Sequence, residues 1–184
     1  MAQADDQPPD HDPLTGVRAS SQIDHLLRTA KLQITEMTKM ADQKASIMTG
    51  LAVVMLSIIF GYVQAHGPSA TLAVFAVAVL AAAMTAIIAV VPTVKKPGPK
   101  IRLNPLFFGH IVTMTEDRFV DLMADALRSE SRSYEMLVRD IYQLSTVVTR
   151  KYALVALSYK ILVIGFVLSG GTFAAELVWK HAAP

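Results

Sequence analysis

The residues that could do chemistry in this chain are few and scattered. His25, His66, His110 and His181 each stand alone, without the neighbours that make an imidazole a base or a metal ligand. His11-Asp12 is one such pair in an acidic stretch, and one pair cannot hold a metal. There is no cysteine, which excludes disulfides, thiol nucleophiles and Cys-ligated zinc. Gly170-Gly171 lies inside an apolar run, and no Gly-rich phosphate loop or nucleophile elbow occurs. The expectation is a non-enzyme with no metal and no cofactor. What remains is binding chemistry: Asp42 and Lys44, the aromatic segment with Phe107, Phe108 and His110, and Arg150-Lys151-Tyr152.

Long apolar segments must position those residues. From Ala45 to Ala65 there is no charge, a run of about 21 residues, and at about 1.5 Å per residue it covers the roughly 30 Å hydrocarbon core of a bilayer. Ser69 to Val94 is a second uncharged run, and Tyr152 to Trp179 a third, apolar apart from Lys160 and Glu176. Lys160 lies near the start of its run, where its side chain can reach back to the interface. Ser57 with Gly61, and Ala82 with Ala86, offer small residues four apart for close helix approach.

Polar segments flank the spans. Residues 1–19 carry Asp5, Asp6, Asp10 and Asp12 with three prolines, which reads as a disordered acidic tail rather than a cleavable signal. A cytosolic helix is expected over 20–44, capped at Ser20 or Ser21 with Asp24 completing a capping box. Its seam is Ile23, Leu27, Ala30, Ile34, Met37, Ala41 and Met48. After the second span, Lys95-Lys96-Pro97-Gly98-Pro99-Lys100 reads as a stiff basic linker able to hold anionic lipid headgroups. Thr113 with Glu116 is a second capping signature, opening a run without Gly or Pro from Met114 to Ile164. Its seam of Phe119, Met123, Ala126, Leu137, Ile141, Leu144, Val148 and Val155 is the natural partner of the first.

The expected fold is therefore an all-α membrane protein. Three transmembrane helices occupy 45–65, 69–94 and 152–179, and extensions of the first and third form a cytosolic helical bundle with the linker and helices of 95–151. Fourteen Lys or Arg fall within 20–44 and 95–151, against none at Gln64 to Pro68 and one, Lys180, at the end. That asymmetry puts the N-terminus in the cytoplasm and the C-terminus outside.

The pattern as a whole resembles the transmembrane effectors of Pycsar anti-phage systems, over about residues 22–175. Four motifs carry the resemblance in order: Ala41-Asp42-Gln43-Lys44-Ala45 entering the membrane, Asn104-Pro105-Leu106-Phe107-Phe108-Gly109-His110-Ile111, Gln143-Leu144-Ser145, and Arg150-Lys151-Tyr152 before the last span. It implies a bacterial inner-membrane effector, activated by cUMP or cCMP from a neighbouring pyrimidine cyclase, that impairs the membrane in abortive infection. A cyclic nucleotide needs cations or N–H groups for its phosphate and an aromatic face for its base. Asp42, Lys44, Phe107, Phe108, His110, Arg150, Lys151 and Tyr152 are the set expected to supply these. The same cations are what any span needs at its cytosolic end, and Phe107 and Phe108 are equally suited to a core. Membrane lipids and further copies of the chain are the other expected partners, and nucleic acid is not one. A non-enzymatic membrane scaffold or regulatory subunit holding a cytosolic partner is the alternative reading.

The topology is directly testable in a chain without cysteine. A lone cysteine replacing Gly67 should react with an impermeant thiol reagent outside intact cells, and one replacing Ser131 only after lysis. External labelling at Ser131 would reverse the orientation.

Overall fold

The computed structural model describes residues 20–91 and 103–182, and every element in them is helical. The helices are α1 (Ser21–His66), α2 (Ala70–Val90), α3 (Phe108–Ile111), α4 (Glu116–Leu127) and α5 (Glu130–Ala182). The acidic tail expected over 1–19 and the basic linker expected from Lys95 lie outside the described residues. The chain divides into two units, one of Met1–Leu32 with Val94–Leu144 and one of Gln33–Thr93 with Ser145–Pro184. Both α1 and α5 contribute to each.

In the second unit, α1, α2 and α5 pack around small side chains. Ala45, Met48 and Ala52 of α1 meet Val79, Ala82, Ala83, Ala86 and Ala89 of α2 and Val155 and Leu162 of α5. Lipid tails are as apolar as leucine, so helices in a bilayer associate through close packing rather than water exclusion, which alanine permits. α5 presents Val155, Ser158, Leu162, Gly165 and Ser169, buried at alternating steps of three and four. At Gly165 an added Cβ would collide with the Ala78 Cβ, so only glycine fits. Phe75 and Phe166 stack at a tilt with ring centroids 4.8 Å apart.

The turn between α1 and α2 is three residues long. Gly67 adopts φ +85°, and its N–H donates to the Val63 carbonyl at 2.8 Å, closing α1 in a left-handed residue that suits glycine. The Ser69 hydroxyl then caps α2 by accepting from the Leu72 N–H at 3.3 Å. Hydroxyls within the spans bond back onto their own helix: Thr49, Ser57 and Thr85 donate to the carbonyls of Ala45, Val53 and Ala81 at 2.8–3.0 Å.

α1, α2 and α5 are each long and apolar enough to cross a membrane, and at most 28% of the apolar window of any one is buried. So much outward apolar surface is insoluble in water but satisfied by lipid, and each helix meets its own backbone hydrogen bonds. This is a membrane protein.

Several sequence expectations need correction. Ala82 and Ala86 are fully buried as anticipated, but Ser57 and Gly61 face outward, and an added Cβ at Gly61 meets nothing. The spacing of small residues marks two faces of α1 equally, and the structure uses Ala45, Met48 and Ala52. Met37, expected on the seam, is 42% exposed, whereas Ile23, Leu27, Ala30 and Ile34 are half-buried and Ala41 and Met48 buried. The run from Met114 is broken: α4 ends at Leu127 and α5 begins at Glu130, among the polar residues Arg128 to Ser133. Thr115 rather than Thr113 caps α4, accepting from the Arg118 N–H, while the Thr113 hydroxyl donates to the His110 carbonyl at 2.8 Å.

Overpacking separates the two faces of the spans. Ala86→Leu and Gly165→Leu should each destabilise the detergent-solubilised protein by about 1–3 kcal/mol, with Gly61→Leu close to neutral. Equal loss of thermal stability at all three positions would contradict this helix arrangement.

Candidate functional site

The first unit is organised by its loop. Asn104, Pro105, Gly109 and His110 are buried there. The Asn104 N–H donates to His110 Nδ1 at 2.9 Å, which requires the neutral imidazole carrying its proton on Nε2. Asn104 Oδ1 accepts from the Leu106 N–H at 3.0 Å, and Nδ2 donates to the Met136 carbonyl at 3.1 Å and Gln143 Oε1 at 3.5 Å. The Phe107 ring folds back edge-on to His110, centroids 5.2 Å apart. A Cβ at Gly109 would meet that ring at 2.6 Å, which is why glycine follows the two phenylalanines.

Two polar contacts tie α1 to α5 in the same unit. Lys31 Nζ lies 2.8 Å from Asp140 Oδ2, and the Asp140 side chain is 1% exposed. The Tyr134 hydroxyl donates to Asp24 Oδ1 at 2.9 Å. Burial and the neighbouring Asp24 carboxylate push the Tyr134 phenol above its ordinary range. Asp24 therefore serves a tertiary bond rather than the expected capping box, and Ser20 alone caps α1 by accepting from the Ile23 N–H at 3.3 Å.

In the second unit the remaining expected residues gather on α1 and α5. Lys151 Nζ and Asp42 Oδ1 form an ion pair at 2.6 Å, with Lys151 largely covered. Two residues further along α1, Lys44 Nζ sits 5.5 Å from the centre of the Tyr152 ring, a cation–π arrangement. Arg150 is exposed and lines, with Lys151, a cleft of about 50 Å³ walled by Ile88, Ala89, Val91, Val147 and Leu154.

The structure thus brings Asp42, Lys44, Lys151 and Tyr152 into direct pairs, with Arg150 beside them, and places Phe107 and His110 together in the first unit. Phe108 is 66% exposed and joins neither set. Among the described residues, no group of three or more His, Asp or Glu gathers that could hold a metal. The Asp42–Lys151 and Lys44–Tyr152 contacts set cations, a carboxylate and an aromatic ring side by side on α1 and α5.

Comparison with known proteins decides what kind of molecule this is. A family model described as the Pycsar effector protein domain matches residues 25–176. The chain belongs to the Pycsar effector family. No curated protein and no solved structure matched it. The matched span begins inside α1 and ends inside α5, taking in all three apolar helices, so the Pycsar effector domain here is the helical membrane protein itself. Its role is that of an anti-phage effector. Sequence reasoning missed Asp140, whose i−4 and i+3 neighbours gave no sign of a partner, and a second cleft lined by Arg132 and Arg139 between α4 and α5.

The buried imidazole makes a pH prediction. Burial lowers the His110 pKa below 6.5, so the folded state binds its proton less readily than the unfolded chain. Stability should be full above about pH 6.5 and fall as pH drops through that value, because protonation sets an N–H against the Asn104 N–H. Hydrogen exchange over 103–112 should accelerate at mildly acidic pH, and His110→Gln should flatten that dependence. An unchanged slope in the variant would exclude His110 as its source.

Proposed function

We propose that this Pycsar effector is a non-enzymatic, cyclic-nucleotide-gated protein of the bacterial inner membrane, with its N-terminus cytoplasmic and its C-terminus periplasmic. Its trigger is cUMP or cCMP made by a neighbouring pyrimidine cyclase, and its output is loss of membrane integrity that halts the infected cell. The observation that carries this reading is the family match running unbroken across all three apolar helices. A membrane-embedded effector without a catalytic centre acts most directly on the membrane that holds it.

The eight residues expected from sequence are the proposed ligand contacts. Lys44, Arg150 and Lys151 bring positive charge, Tyr152, Phe107 and Phe108 bring aromatic faces, and Asp42 and His110 bring polar groups for a base edge. Asp42 already holds Lys151, so a phosphate arriving there would exchange one anionic partner for another. A ligand acts only through unequal affinity for two arrangements, and moving a population from about 1:99 to 99:1 needs roughly 5.5 kcal/mol of such preference. Several ligands on one assembly reach that total more readily than one, which supports a homo-oligomer.

Expression alone should be tolerated by cells. Co-production of cUMP or cCMP should stop growth and depolarise the inner membrane, and Arg150→Glu should blunt that response. Reconstituted protein that binds one of these nucleotides yet releases no dye from vesicles would turn the reading toward a scaffold.

A further inference from the structure

The cleft of about 110 Å³ between α4 and α5 is outside every residue considered so far for ligand contact. Its floor is apolar, formed by Leu103, Leu122, Ala126 and Met136, and its rim carries two arginines and two acids. Arg132 and Arg139 are two helical turns apart on α5, so they project from nearly the same face and their long side chains can converge. Arg132 Nη1 contacts Asp125 of α4. Arg139 places both Nε and Nη2 on the same oxygen of Glu135, at 2.7 and 2.6 Å. A guanidinium has five N–H donors, and these pairs leave several on each arginine.

We infer that this cleft binds a phosphate monoanion, taken up by Arg132 and Arg139 with Asp125 as the group it displaces. Glu135 holds Arg139 in a fixed orientation from a mostly covered position, its side chain 20% exposed. The Asp125–Arg132 pair differs, with both side chains about half exposed at 52% and 55%. A pair that open to water contributes little and is readily exchanged. A phosphate offers two oxygens at once to the planar guanidinium fork, a bidentate contact that a single carboxylate oxygen does not make. Asn104 lines the cleft but has its amide committed to Leu106, Met136 and Gln143, so it shapes the wall and reads nothing. The phosphate can be free in solution or the phosphodiester of a small nucleotide, whose base would lie on the apolar floor. The assignment is independent of the membrane-boundary residues.

Full-length protein in detergent would be titrated with inorganic phosphate, and separately with cUMP and cCMP, by calorimetry. Arg132→Gln with Arg139→Gln should abolish binding at the cleft, and Arg132→Lys with Arg139→Lys, which keeps the charge and loses the fork, should weaken it. Asp125→Asn removes the competing carboxylate and should tighten binding about three- to tenfold, a gain that a folding defect cannot imitate. Lys39→Gln, at an exposed position of α1 outside every proposed contact, should leave this binding unchanged. Phosphate binding alone assigns free phosphate, and nucleotide binding that phosphate displaces assigns the phosphodiester. No binding of any of these probes, weaker binding in Asp125→Asn, or full binding in the double glutamine variant would overturn the inference.

Discussion

Everything in the spanning unit depends on how closely three helices can approach in a solvent that gives them no hydrophobic reason to do so. The buried face of α2 is Val79, Ala82, Ala83, Ala86 and Ala89, with four alanines among five residues. Each lets a neighbouring backbone come near enough for dispersion to accumulate over many weak contacts. Gly165 against Ala78 is the tightest point of that approach. The three-residue turn at Gly67 enforces the pairing of α1 with α2, since it leaves the chain no room to separate them.

The first unit is held by a different economy. Its buried members include Asn104 and His110, which hydrogen-bond to named partners, and Asp140, which is ion-paired with Lys31. Desolvating a polar group without a partner costs more than a made hydrogen bond returns, so such a network tolerates few substitutions and fixes one geometry. The Asn104 to His110 loop is accordingly shaped by its own sequence: asparagine bonds the backbone ahead of it, glycine admits the Phe107 ring, and histidine closes onto the asparagine N–H.

The apolar runs were legible in the sequence because the bilayer demands length and apolarity, and both are additive along a chain. Ala82 and Ala86 were legible for the same reason that Ser57 and Gly61 misled: spacing identifies a face, and only the partner helix selects which face is used. The interruption between α4 and α5 was visible only as polarity at Ser129 to Ser133, since no Gly or Pro marks it. A 3.6-residue period can drift through such a patch without announcing a break. Thr113 and Thr115 are both able to cap, and the cap is Thr115 because it is the extended residue directly before α4, while the Thr113 hydroxyl donates to the His110 carbonyl. Among the ligand candidates, the pairing of Asp42 with Lys151 is a contact across 109 positions of chain. Residue type hinted at it, and no local pattern could have located it.

The hydroxyls of the spans carry one more implication. Thr49, Ser57 and Thr85 each spend their proton on the carbonyl one turn back, so toward hydrocarbon they present mainly carbon. They therefore add little polarity to the outer surface, which on α1 is made by Ile47, Val54, Ile58 and Phe60, so the spans meet the acyl chains as a nearly unbroken hydrocarbon sheath despite the hydroxyls in their sequence.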